Sequence, residues 1–228
     1  MPEQTHTIAI IGSTGAEGSG LALRWANAGH RIVIGSRDPG KAHALADQFN
    51  AQLGGSRLSG AGLQEAARAA GIVVLTVPFA AQLSTVRALA AELQGKILID
   101  VTVPLVPPKV SQVQLPPTDS CVVAVQAELG EAVRVVSAFQ NVSAHKLKDL
   151  AYKVQCDVLI CGNDKAARQT VIALAADAGL RGIDAGLLAN STVAESLTSA
   201  LIWINRTYKI ADAGIMITGL DERPKTAS

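Results

Sequence analysis

The chain has 228 residues, a formal net charge of +1, 49% hydrophobic side chains and 17% charged ones. That length buries a large core, and the composition excludes a disordered or filamentous chain. Aromatic residues make up only 3%, and the charges form no basic stripe, which excludes a nucleic-acid footprint.

Four apolar runs in the first half, Thr7–Ile11, Arg31–Ser36, Ile72–Val77 and Lys96–Val101, are β-branched and bounded by Gly or polar residues, which predicts strands. Between them Gly18–Ala28, Gly40–Asn50, Leu63–Ala70 and Ala80–Leu93 carry apolar residues at helical spacing. Near-continuous apolar strands alternating with helices predict an α/β fold with a parallel sheet covered on both faces. Right-handed crossovers then give a Rossmann-type, doubly wound arrangement. Val103–Pro117 has five prolines and no helical period, so it is expected to be a loop able to carry a site. Beyond it, Arg134–Phe139, Asp157–Cys161 and Arg181–Asp184 are strand candidates, and Lys165–Ala178 is a helix candidate. Thr192–Lys209 is helical again, with Thr192 and Glu195 at capping-box spacing. The polar tail Asp221–Ser228 is expected to fray.

No apolar run has the length of a membrane span, and no basic-then-apolar leader precedes the first strand, so the expected location is cytoplasmic. Cys121, Cys156 and Cys161 lack metal-type spacing and read as buried thiols, with no metal expected.

The first strand is followed by Gly12-Ser13-Thr14-Gly15-Ala16-Glu17-Gly18 and then at once by a helix pattern. A nucleotide pyrophosphate needs backbone N–H groups at a helix N-terminus and no side chains blocking its approach, which glycines at this spacing supply. Ser13 stands where the usual first of the closely spaced glycines would be. The second strand ends Gly35-Ser36-Arg37, with Lys41 following. A carboxylate there would accept from a ribose 2′-hydroxyl, whereas Ser36, Arg37 and Lys41 offer donors and positive charge to a 2′-phosphate. NADP is favoured over NAD. Asp38 complicates this, but Pro39 predicts that it turns away as a helix start.

Further motifs are Leu75-Thr-Val-Pro78, Val136-Ser-Ala-Phe-Gln-Asn141, Cys161-Gly-Asn-Asp164, Asp184-Ala-Gly-Leu-Leu188 and Asn190-Ser-Thr-Val-Ala-Glu-Ser-Leu197. With these, the chain resembles the NADPH-dependent coenzyme F420 reductases (8-hydroxy-5-deazaflavin:NADPH oxidoreductases), from Thr7 to about Gly219. The resemblance implies reversible hydride transfer between NADP(H) and a deazaflavin as second substrate. It places Gly12, Ser13, Thr14, Gly15, Ala16 and Glu17 along the pyrophosphate, and Val77, Pro78, Phe79 and Leu83 against the cofactor. Ala144 and Ala213 approach the nicotinamide end. Thr102 and Pro104 follow a strand where Rossmann ligand sites concentrate. Gln140 and Asn141 either offer amides to the deazaflavin or satisfy loop backbone. The division implied is an NADP-binding Rossmann domain at 1–130, an α/β extension at 131–220 completing the deazaflavin site, and a flexible tail at 221–228.

The chain departs from the family pattern at Gln140, Ser143 and Glu17, the last adding a negative charge beside a dianion. No catalytic side chain is assigned. The shortage of candidate acids near the site speaks for transfer between two cofactors, in which positioning supplies much of the rate. The alternatives are an NADPH-dependent reductase of a flavin or of another planar or imine substrate, and a non-catalytic NADP sensor. The apolar stretch Ser196–Ile204, with Trp203, suits either a homodimer interface or burial within the monomer.

Overall fold

The computed structural model describes residue 2 and residues 4–12 and 15–220; the tail Asp221–Ser228 lies outside the described residues. The order is β1 (Thr7–Ile11), α1 (Ala16–Ala28), β2 (Arg31–Ser36), α2 (Pro39–Leu53), β3 (Leu58–Gly62), α3 (Leu63–Ala69), β4 (Ile72–Leu75) and α4 (Phe79–Ala88). Then come α5 (Ala90–Leu93), β5 (Ile97–Asp100), α6 (Cys121–Leu129), β6 (Arg134–Ser137), β7 (Asp157–Gly162), α7 (Lys165–Asp177), β8 (Arg181–Asp184) and α8 (Ser191–Tyr208). The strands form one sheet in the order β3-β2-β1-β4-β5-β6-β7-β8. Pairing is parallel from β3 to β6, antiparallel between β6 and β7, and parallel again between β7 and β8. The sheet runs without a break across residue 130.

Alternate strand residues feed two cores. Ile8, Ile10, Ile32, Ile34 and Val74 pack with residues of α1, α2 and α7 on one face. Ala9, Ile11, Val33, Val73 and Leu75 pack with residues of α3, α4 and α6 on the other. The inner strands are thus apolar on both faces, the source of their continuous hydrophobic runs. All three cysteines are buried and unbridged, as expected.

Two elements have no expectation above. The edge strand β3 reads Leu-Ser-Gly-Ala-Gly, with almost no β-propensity. It is held from outside: the Asn50 side chain donates to Leu58 O (2.8 Å) and accepts from Leu58 N (3.0 Å), as a neighbouring strand would. A Cβ at Gly60 would lie 2.2 Å from the His43 backbone nitrogen, so glycine is what lets α2 close onto the strand. Helix α6 opens Cys-Val-Val-Ala-Val, a poor helix former. Its first turn is tied down by Ser120, whose Oγ accepts from Val122 N and Val123 N.

That same turn corrects the capping-box reading of Thr192 and Glu195. Helix α8 starts at Ser191, and Glu195 reaches across to α6. Its carboxylate accepts from Ser120 Oγ (2.6 Å), Cys121 N (2.9 Å) and Val122 N (3.3 Å). A carboxylate there suits the positive end of α6 and pins α8 to that helix. Glu195→Ala leaves buried donors unmet and is expected to cost about 2–3 kcal/mol, lowering the melting temperature by roughly 5–10 °C in a calorimetric scan.

Helix α1 latches the second half of the chain to the first. Arg24, largely buried, donates to five backbone carbonyls, among them Leu147 O (2.7 Å), Asp149 O (2.8 Å) and Ala178 O (3.0 Å). The neighbouring Trp25 donates to Leu174 O (2.7 Å).

Candidate functional site

The carboxyl edge of the sheet opens at β1, where the order reverses between β2 on one side and β4 on the other. Crevices at such switch points receive ligands in open α/β sheets. Gly12 makes the turn with φ +92°, and a Cβ there would fall 2.8 Å from Val77 Cγ1 and 2.9 Å from Thr76 O. Thr76 in turn donates through its Oγ1 to Ile11 O (3.0 Å), tying the two loops together. Gly15 caps α1 without a side-chain hydrogen bond, and a Cβ there would meet nothing nearer than Gly12 O at 3.9 Å. The amides of the first turn of α1 are therefore approachable, as a pyrophosphate requires. Ala16 is exposed as the first residue of the helix, whereas Ser13 and Thr14 lie outside the described residues.

One cavity, about 450 Å³, runs from Gly12 past Ser36 and Arg37 to Val77, Pro78 and α4. Arg37 is exposed and makes no ion pair among the described residues. Asp38 does turn away: its Oδ1 caps α2 by accepting from Lys41 N (3.2 Å). The Lys41 ammonium lies 3.9 Å from the Asp38 carboxylate and is well solvated, outside the cavity wall. This end of the cleft is cationic at Arg37 and carries no inward-facing carboxylate.

A second cavity, about 260 Å³, shares Val77 and Pro78 with the first and continues to Glu17, Phe79, Thr102 and Leu105. Asp100 ends β5 here, fully buried. Its carboxylate accepts from Gln82 Nε2 (2.6 Å) and Thr102 N (2.9 Å), while Gln140 Nε2 donates to its backbone carbonyl (2.8 Å). Burial raises the Asp100 carboxyl to about 6; hydrogen bonds from Thr102 and Gln82 oppose the rise, and the Glu195 charge adds to it. Burial, and secondarily Asp100, raises Glu17 to about 8. Among the described residues, the buried side-chain polar atoms with no partner are Glu17 Oε1, Gln82 Oε1, Thr102 Oγ1, Ser137 Oγ and Gln140 Oε1. Gln82, Thr102 and Gln140 all bond to Asp100, Ser137 pairs with it across the sheet, and Glu17 feels its charge. Of these residues Glu17 and Thr102 line the inner cavity, and Gln82, Ser137 and Gln140 lie behind it around Asp100.

Two carboxyls stand against the expected shortage of acids: Glu17 lines the inner cleft, and Asp100 is buried behind Thr102, which lines it. Glu17 is expected along the pyrophosphate as a cofactor-binding residue that adds a negative charge, and its side chain lines the inner cavity. Asp100, Gln82 and Ser137 were missed; the signal was an aspartate closing the otherwise apolar strand Ile97-Leu-Ile-Asp100.

A third cavity, about 180 Å³, brings Ala144 and Ala213 together with Gln140, His145 and Thr198. Ala213 is held there by its N–H donating to Asn205 Oδ1 (2.9 Å). Of the amide pair, Asn141 takes the structural option. Its Nδ2 donates to Asp157 O (2.6 Å) and its Oδ1 accepts from Leu159 N (3.4 Å), joining the loop after β6 to β7. Leu83 packs with Phe79 and Leu63 against the core, and Ala81, Ser84 and Thr85 line the groove instead. Pro104 is buried, and its neighbours Val103 and Leu105 face the cavity. A larger cavity of about 730 Å³ lies between α6, β6 and the β7–α7 turn, and none of the described phosphate-turn residues line it.

A family model described as NADP oxidoreductase, coenzyme F420-dependent, matches residues 7–104. The chain is 42% identical to the F420-dependent NADP reductase of Methanocaldococcus jannaschii, over 94% of this chain and 99% of that protein. It is 39% identical to the F420-dependent NADP reductase of Methanothermobacter marburgensis, with the same coverage. The crystal structure of a proposed F420-dependent NADP-reductase from Arthrobacter sp. FB24 superimposes with a TM-score of 0.78 at 27% identity, covering 93% of this chain and 99% of that one.

Proposed function

The chain belongs to the F420-dependent NADP reductase family, and on that basis we propose that it transfers a hydride between NADP(H) and coenzyme F420. The two bound cofactors supply the chemistry, a hydride passing from the nicotinamide to the deazaflavin ring while a proton is taken up. The protein's part is to bind, orient and exclude water.

The first turn of α1, with Gly12, Gly15 and Ala16, holds the pyrophosphate; Ser13 and Thr14 belong to the same turn in this reading. Ser36, Arg37 and Lys41 hold the 2′-phosphate. Val77, Pro78 and Phe79 form the apolar floor under the nicotinamide arm, with Glu17 and Thr102 on its far wall. Gln140, Ala144 and Ala213 face the second substrate, so residues 1–130 carry the dinucleotide and 131–220 complete the deazaflavin side. The observation that carries this reading is the pair of adjoining cavities, one lined by Arg37 and the other by Thr102, that share Val77 and Pro78 in their walls. Val193 and Trp203 are exposed on α8 and support a homodimer through that helix. Three buried, unbridged thiols fit the reducing cytoplasm.

Mixing the purified protein with NADPH and oxidised F420 is expected to bleach the deazaflavin absorbance. Turnover of a free flavin or an imine, with none of F420, would sink the reading.

A further inference from the structure

The inner cleft holds a carboxyl that the phosphate turn does not require. Glu17 lies in the first turn of α1, and its Oε1 is sealed from solvent without a partner. Its side chain lines the inner cavity with Thr76, Phe79 and Thr102, whose buried hydroxyl has no partner beyond the neighbouring Asp100 carboxylate. A sealed, unmet carboxyl oxygen beside that hydroxyl marks a place prepared for a polar ligand group. This cavity shares Val77 and Pro78 with the nucleotide groove, and Arg37 lines the groove but not this cavity. A dinucleotide held by its 2′-phosphate at Arg37 therefore points its nicotinamide end toward Glu17.

The titratable surroundings are few. Asp100 faces Glu17 from β5, with Glu195 of α8 and Cys121 of α6 behind Asp100. The Thr76–Phe79 turn brings no titratable group, and the next charge on α1, Arg24, is spent on backbone carbonyls. Burial first and Asp100 second raise the Glu17 carboxyl to about 8.

We propose that Glu17 reads the oxidation state of the nicotinamide. In its neutral form the carboxyl, with the Thr102 hydroxyl, offers a donor and acceptors to the carboxamide. In its ionised form it favours the cationic, oxidised ring over the neutral, reduced one. The inference rests on the reading of this cleft as the NADP site.

The test is to titrate the purified protein with NADP+ and, separately, with NADPH between pH 6.5 and 9.5, following tryptophan fluorescence. The ratio Kd(NADPH)/Kd(NADP+) is expected to rise on the order of tenfold across that range, the size of one charge acting at short range in a partly buried site. The 2′-phosphate titrates alike in both nucleotides and cancels in the ratio. In Glu17→Gln the ratio is expected to stay flat. A group whose proton affinity is raised by folding contributes stability that is full below its unfolded value of 4.5 and lost as pH rises through about 8. Without ligand, Glu17→Gln is therefore expected to melt several degrees above the native protein at pH 9 and close to it at pH 5.

A flat ratio in the native protein, or an equal rise in Glu17→Gln, overturns the proposal, as does equal melting of the two proteins at both pH values. If neither nucleotide binds at any pH, the NADP reading of the cleft falls, and the proposal with it.

Discussion

Arg37→Ala is expected to raise the Michaelis constant for NADPH by about tenfold to a hundredfold and to leave that for NADH nearly unchanged. Arg37 lies on the wall of the outer groove, is exposed, and makes no ion pair among the described residues. A hydrogen bond to a charged group contributes about 1.5–3 kcal/mol, and each 1.4 kcal/mol is a factor of about ten in affinity. Lys41 gives less because its ammonium stands near the Asp38 carboxylate and keeps its hydration. Lysine at position 37 should recover part of the loss, since it restores charge without the guanidinium fork. Steady-state kinetics with both nucleotides decide the matter; equal effects on NADPH and NADH would show that Arg37 does not meet the 2′-phosphate.

The largest loss of stability is expected from Arg24→Ala. The guanidinium donates to carbonyls of Lys146, Leu147, Asp149, Tyr152 and Ala178, so a single side chain orders the loop after β6 and the C-terminal end of α7. Removing it orphans several carbonyls at once. The cost is about 3–5 kcal/mol, which for a chain of this size lowers the melting temperature by roughly 10 °C or more. Arg24→Lys should rescue little, because three donors at one point cannot serve carbonyls spread around a planar fork. An Arg24→Ala protein that melts with the native one would show that the latch carries no stability. The same variant should weaken the second-substrate side, since the loop it anchors carries Ala144 and His145.

What was legible in the sequence is what is encoded locally. Strands β1, β2, β4 and β5 announce themselves because each is buried on both faces, and the glycine turn because its function is backbone geometry. Ser36 and Arg37 stand at the end of the second strand, and both line the outer cavity. Asp38 was resolved correctly through Pro39, a local helix-start signal. Legibility failed where distant segments meet. β3 has no strand composition and is made by Asn50 and the gap at Gly60. α6 has a β-branched start and is made by Ser120 and Glu195. Glu195 looked like the partner of Thr192 because its sequence spacing fits, and only the tertiary fold sends it to another helix. Around Asp100, side chains from α4, β6, the loop after β5 and the loop after β6 converge; no window of sequence contains them together. For Gln140 and Asn141 the sequence left two roles open. Both line the third cavity and both donate to backbone; Asn141 uses both ends of its amide on β7 and its flank, while Gln140 donates to Asp100 O and keeps a buried oxygen without a partner.

The central claim is that hydride passes directly between the two rings, which the protein positions without a redox group of its own. The most direct measurement is to reduce F420 with NADPH carrying deuterium at both C4 positions, in ordinary water, and to locate the label by NMR. Direct transfer predicts one deuterium on the deazaflavin ring carbon per turnover, with no dilution by solvent. Reduced F420 with two protium atoms and no deuterium at that carbon, or label washed into water, would contradict it.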